Sequence, residues 1–125
     1  THGLAKARKG LEELNYTAEK ISLLQGGEDP LSGCAVVIVP GPRSPFLPRE
    51  VELLRAYLAG GGNALFMIDP FTETGLDPVL RDYGVKLDDT MVIDPSHHFA
   101  ADPSSPAVTD YNYHQTTRDL PLTFF

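Results

Sequence analysis

A single cysteine, Cys34, stands in the chain of 125 residues, so an internal disulfide and a multi-cysteine metal site are both excluded. Tryptophan is absent altogether. No apolar run approaches the roughly 18 residues that a membrane-spanning helix needs. Positive charge is also scarce: ten Lys and Arg stand against 17 Asp and Glu, giving a net charge of −7. A phosphate backbone wants a basic stripe and repels such a surface, so a nucleic-acid partner is not expected. Lys6, Arg8 and Lys9 do cluster, but three cations on one short helix read as a solvated face.

What is present is an ordinary globular composition, 42% hydrophobic and 22% charged, in a length that suits one domain over residues 1–125. Its most informative stretch is 34–71. Cys34-Ala35-Val36-Val37-Ile38-Val39 and Ala64-Leu65-Phe66-Met67-Ile68 lack polar alternation, the pattern of strands covered by helices on both faces. Between them, Pro48 and Glu50 suit the start of a helix over 49–59, with Val51, Leu54, Tyr57 and Leu58 on its buried face. Gly60-Gly61-Gly62-Asn63 ends that helix and turns the chain into the second strand. The unit reads as a βαβ crossover with parallel strands.

Around this unit the pattern is less regular. Leu4, Ala7, Leu11 and Leu14 recur at helical spacing, predicting an amphipathic helix over 3–14 that closes near Asn15. The mixed pattern over 17–24 predicts an outer strand. Leu76, Val79, Leu80 and Tyr83, with Pro78 early and Gly84 late, predict a short helix. Met91-Val92-Ile93 is the expected third core strand, ending in Asp94-Pro95 as the second ends in Asp69-Pro70. The proline-rich remainder, with Tyr111, Tyr113, Phe124 and Phe125, predicts short strands or turns over a sheet edge.

Several segments together resemble a known family. They are Val36-Val37-Ile38-Val39-Pro40-Gly41-Pro42-Arg43-Ser44-Pro45, the helix bearing Glu50, Val51, Leu54, Arg55, Tyr57 and Leu58, Gly61-Gly62-Asn63-Ala64-Leu65, Asp69-Pro70-Phe71 and Val92-Ile93-Asp94-Pro95. The chain is similar to the GldG-like auxiliary component of ABC-type transport systems, known from gliding motility. The resemblance implies a three-layer α/β fold, a mostly parallel sheet with helices on both faces, similar to flavodoxin-like proteins and class I glutamine amidotransferases. It also implies an extracytoplasmic (periplasmic) domain of a larger, membrane-anchored protein. The expected partners are protein subunits of an ABC-type transport complex, with a small ligand as a further possibility. It carries over no catalytic residue and no cofactor. Thr1-His2-Gly3 resembles a turn that follows the family's first strand, so the sheet is expected to lack that strand here. Leu47 stands where the family has a small N-cap residue.

Candidate chemistry gathers just past the carboxyl ends of the expected strands, where open α/β sheets place their ligands. Those residues are Arg43, Ser44, Asp69, Phe71, Asp94, Ser96, His97 and His98. Asp with His suffices for general-base work or a divalent cation. Asp-Pro dipeptides are equally turn initiators, with the Asp side chain bonding its own backbone. Adjacent histidines on an extended segment point to opposite sides, so His97 and His98 are not expected to grip one metal together. Cys34 opens a strand rather than sitting on a strand-to-helix turn, and core packing is its expected role. Two functions follow. The favoured one is a non-catalytic binding domain, its rim formed by these eight residues. The alternative is a hydrolase or amidotransferase-like enzyme acting on a sugar or peptide through the Asp/His cluster.

Overall fold

The computed structural model describes residues 2–25 and 27–124. Thr1 and Phe125 lie outside the described residues, and with them the first residue of the expected Thr1-His2-Gly3 turn and the last aromatic of the tail. The protein is mixed α/β, and it divides into two compact units, Thr1–Lys86 and Leu87–Phe125.

The first unit holds α1 (His2–Glu13), β1 (Val36–Pro40), α2 (Pro48–Ala59), β2 (Asn63–Met67) and α3 (Asp77–Asp82). β1 and β2 pair in parallel, with Ile38 opposite Leu65 and Val39 opposite Phe66. The crossover between them is α2, as the sequence predicts. Leu47 offers no side-chain cap, yet its N–H donates to Glu50 Oε2 at 2.8 Å, so one of the orphan groups at the helix start is satisfied from inside. At the far end Gly60 N–H reaches the Ala56 carbonyl and Gly62 N–H the Tyr57 carbonyl, both at 3.0 Å.

Val51 and Leu54 of α2 close on Leu31, Val39, Leu76, Val79 and Leu80 to form the core. Val37, Phe66 and Ile68 pack against it from the same sheet face as Val39. α3 is tied to α2 by a forked pair, Arg55 Nε to Asp82 Oδ2 at 2.6 Å and Arg55 Nη2 to Asp82 Oδ1 at 3.1 Å. The hydrogen bonds to that carboxylate raise the guanidinium pKa further above neutrality.

The other sheet face is open. Val36 is 55% exposed, Ile38 44%, Leu65 46% and Met67 50%. The continuous apolar runs predicted cover on two faces, and one face has it. Leu4 of α1 and Leu14 just past its end are exposed as well.

Two expected strands are corrected. Residues 17–24 form no strand: their mixed pattern supplies no apolar face, and of them Leu23 alone packs against the core. Met91-Val92-Ile93 is no third core strand either, all three side chains being exposed. The run is short and ends at Asp94, whose N–H goes to the Pro103 carbonyl. The second unit holds a small antiparallel sheet, β3 (His98–Phe99), β4 (Asp102–Val108) and β5 (Thr123–Phe124). Phe99 and Phe124 meet edge to face across it, with ring centroids 4.7 Å apart.

Candidate binding rim

In the first unit two loops leave the carboxyl ends of adjacent parallel strands and are fastened to each other. Gly41, at φ +55°, donates its N–H to the Met67 carbonyl at 2.8 Å. Phe46 N–H donates to the Thr74 carbonyl at 2.8 Å. Gly75, at φ +70°, passes so close that a Cβ there would stand 3.1 Å from the Phe46 carbonyl oxygen, so glycine is needed twice over. Thr74 between them is buried, and its hydroxyl accepts the Leu76 N–H at 3.2 Å. Nothing in the residue spacing signals this latch. Its one legible trace is a glycine placed just before the short helix.

The latched loops present four of the expected rim residues, Arg43, Ser44, Asp69 and Phe71, all exposed. Asp69 leans over the first loop, its Oδ2 lying 3.5 Å from where a Cβ on Gly41 would be. Phe71 is 62% exposed and holds φ +57°. The left-handed region costs a residue with a Cβ roughly 1–2 kcal/mol, so a backbone-strained residue holds its aromatic ring out in solvent.

The remaining four belong to one turn of the second unit. Asp94 Oδ1 accepts the N–H groups of Ser96 at 2.8 Å and His97 at 2.9 Å. Its Oδ2 stands 3.5 Å from His97 Nδ1, and His98 Nδ1 lies 3.0 Å from the Asp94 carbonyl oxygen. The carboxylate thus builds its own loop, the turn-initiating role open to an Asp-Pro pair. The bond from the His97 N–H, then that from Ser96, holds the Asp94 pKa below the usual carboxylate range. Asp102 is lowered in the same way, first by the Ser104 hydroxyl and then by its N–H. Among the described residues no group of three or more His, Cys, Asp and Glu side chains could hold a metal ion.

A folded pKa depressed below its unfolded value stabilises above the unfolded value, about 3.9, and that contribution disappears as pH falls through the folded one. The turn at 94–98 is therefore expected to persist at neutral pH and loosen at strongly acid pH. Carbonyl-carbon NMR should give Asp94 a titration midpoint below that of an ordinary aspartate, with the Ser96 and His97 amide shifts following it. A midpoint at or above the ordinary value would contradict the turn.

Cys34 sits apart from these loops, half-buried before β1, where its carbonyl accepts a hydrogen bond from the Tyr57 hydroxyl at 3.1 Å. Among the described residues no helix is long and apolar enough to cross a membrane. The family described as an ABC-type uncharacterized transport system has a model that matches residues 3–121. No curated protein and no solved structure matches.

Proposed function

The chain belongs to the family described as an ABC-type uncharacterized transport system, and from that membership we propose that the latched rim of the first unit is where it engages a protein subunit of the transport complex. On this reading the chain serves that transport system as a non-catalytic auxiliary domain. The observation that carries the rim reading is Phe71. A solvent-exposed aromatic on a left-handed backbone, two residues from Asp69 and on a loop latched to the one that bears Arg43, is the composition of an interface anchor, since aromatic and Arg side chains dominate binding hot spots. Ser44 lies beside Arg43 on the same loop and adds a hydroxyl to the rim. Asp94, Ser96, His97 and His98 form a second candidate patch, which offers ring nitrogens and a hydroxyl for polar contacts.

The finer reading has the chain as one domain of a larger, membrane-tethered protein on the extracytoplasmic side, of the gliding-motility type. Its sheet would then be mostly parallel and flavodoxin-like, akin to class I glutamine amidotransferases. The β1-α2-β2 crossover and the open apolar sheet face support that architecture.

Glycine at position 71 separates binding from folding. Phe71→Gly relieves the left-handed strain, so stability is expected to hold or rise by up to about 1 kcal/mol. A photo-crosslinking residue at position 71 of the full-length protein, tested in its membrane, is expected to capture a transport-complex subunit. Phe71→Gly is expected to weaken that subunit's association tenfold or more. Capture of the same subunit from position 52 on α2 but not from position 71 would remove the rim from the interface.

A further inference from the structure

We propose that the cleft at the amino ends of β1 and β2 binds a small organic cation, a protonated alkylamine whose charge is met by Glu28 and Asp29 and whose chain lies along α2. The cleft is at the opposite end of the strands from the rim, and the proposal does not depend on the rim reading.

α2 carries more apolar surface than the core uses. Val51 and Leu54 are buried in the core, and Leu58 packs against it. Leu53, Ala56, Tyr57 and Gly60 recur at i, i+3, i+4 and i+7, a second stripe of the same helix and its cap, and all four line a cleft of about 670 Å³. Small-molecule sites run from about 300 to 1,000 Å³, so the cleft has the size of one. Leu31, Cys34 and Ala35, on the segment that enters β1, extend its apolar lining. Gly33 and Gly61 also border it, and nothing stands within 4 Å of where a Cβ on either would be, so a ligand meets no side chain there.

The chemistry of the lining selects the ligand. Its two charged side chains are both carboxylates, Glu28 and Asp29, and no Lys, Arg or His joins them. Among the described residues neither carboxylate has an ion pair or a hydrogen bond. The carboxyl end of α2, the negative end of its dipole, opens on the same cleft and has no basic side chain in its last turn. The Tyr57 hydroxyl is already engaged with the carbonyls of Cys34 and Asn63, which leaves the carboxylates to supply the polar recognition. An anion is repelled by this lining. A hydrated metal ion would leave the apolar stripe unused, and two carboxylates fall short of a set of three protein ligands. An alkylammonium uses both features, its charged head at the exposed carboxylates and its methylenes along Leu53 and Leu31.

Cys34, the chain's one thiol, reports on the cleft it lines. Its thiolate attacks the sulfenyl sulfur of a methanethiosulfonate and expels methanesulfinate, and the reagent's tail can be a trimethylammonium or a sulfonate. Normalised to the urea-unfolded chain, the cationic reagent is expected to react threefold or more faster than the anionic one, a preference that shrinks as salt rises. n-Pentylamine should slow the labelling saturably in the millimolar range and shift the Gly33, Gly61 and Asn63 amide signals at the same concentrations, whereas pentanoate should do neither. Glu28→Gln combined with Asp29→Asn should weaken pentylamine at least tenfold. Ala56→Leu, which fills the cleft from α2, should abolish its protection of Cys34. These three positions are exposed, so circular dichroism should be unchanged. Labelling and amide signals that ignore pentylamine throughout the millimolar range would overturn the proposal. Equal protection by pentanol, or pentylamine binding that survives the loss of both carboxylates, would overturn it too, leaving an apolar cleft indifferent to charge.

Discussion

Leu54→Ala is expected to destabilise the first unit by about 2–5 kcal/mol, the range for emptying a fully buried leucine site. Leu54 is 1% exposed and lies in a cluster of seven buried apolar residues drawn from a loop, β1, α2 and α3 with its N-cap. Each of those elements loses contacts when the side chain is truncated. Elements contributing one or two residues apiece have little with which to refill the space. The cost is large beside the 5–15 kcal/mol that holds an ordinary domain together. The chain has no tryptophan, so unfolding is best followed by far-ultraviolet circular dichroism in urea. Glu52→Ala, two residues away on the exposed side of α2, should change stability by no more than about 0.5 kcal/mol. A Leu54→Ala cost below about 1 kcal/mol would mean that the core does not centre on α2.

The helix carrying Leu54 was legible in sequence because its signals agree with one another. Pro48, Glu50, the spacing of Val51, Leu54, Tyr57 and Leu58, and the glycines that follow all specify one helix and one buried face. β1 and β2 were legible for the same reason, and their parallel pairing followed from the crossover. The failures fall where a segment had only one signal. Met91-Val92-Ile93 has strand-forming residues but lies exposed, and Asp94 turns the chain immediately after it. Residues 17–24 had alternation without a consistent apolar face. The uniform apolarity of β1 and β2 predicted two covered faces, and the structure covers one, leaving Val36, Ile38, Leu65 and Met67 exposed on the other.

The candidate site was half legible. The rule that ligands sit past the carboxyl ends of parallel strands located Arg43, Ser44, Asp69 and Phe71. It could not foresee the fastening of Phe46 to Thr74 or the left-handed Phe71, because both depend on backbone conformation rather than residue type. For Asp94, Ser96, His97 and His98 the same rule was applied to a strand that does not form. The local reading of Asp-Pro as a turn initiator held there, with the carboxylate bound to the backbone of its own loop.

Gly62→Ala is expected to cost about 2–3 kcal/mol, from overpacking and the loss of a hydrogen-bond centre together. A Cβ on Gly62 would fall among the Tyr57 ring atoms Cζ, Cε1 and Cδ1. The ring has little freedom to retreat. Its hydroxyl accepts the Asn63 N–H at 3.2 Å and lies within hydrogen-bond reach of the carbonyls of Cys34 at 3.1 Å and Asn63 at 3.2 Å. Tyr57 thereby pins α2 to the start of β2 and to the segment entering β1, and displacing it loosens all three. The neighbouring glycine supplies the contrast. Gly61 has φ +91° with open space around its Cβ position, so Gly61→Ala should cost only the left-handed strain, roughly 1–2 kcal/mol. A double-mutant cycle separates the two causes. In a Tyr57→Ala background Gly62→Ala should become nearly neutral, whereas Gly61→Ala should cost the same as before. If Gly62→Ala costs as much without the ring as with it, the contact between Tyr57 and Gly62 is not what holds the strand starts to the helix.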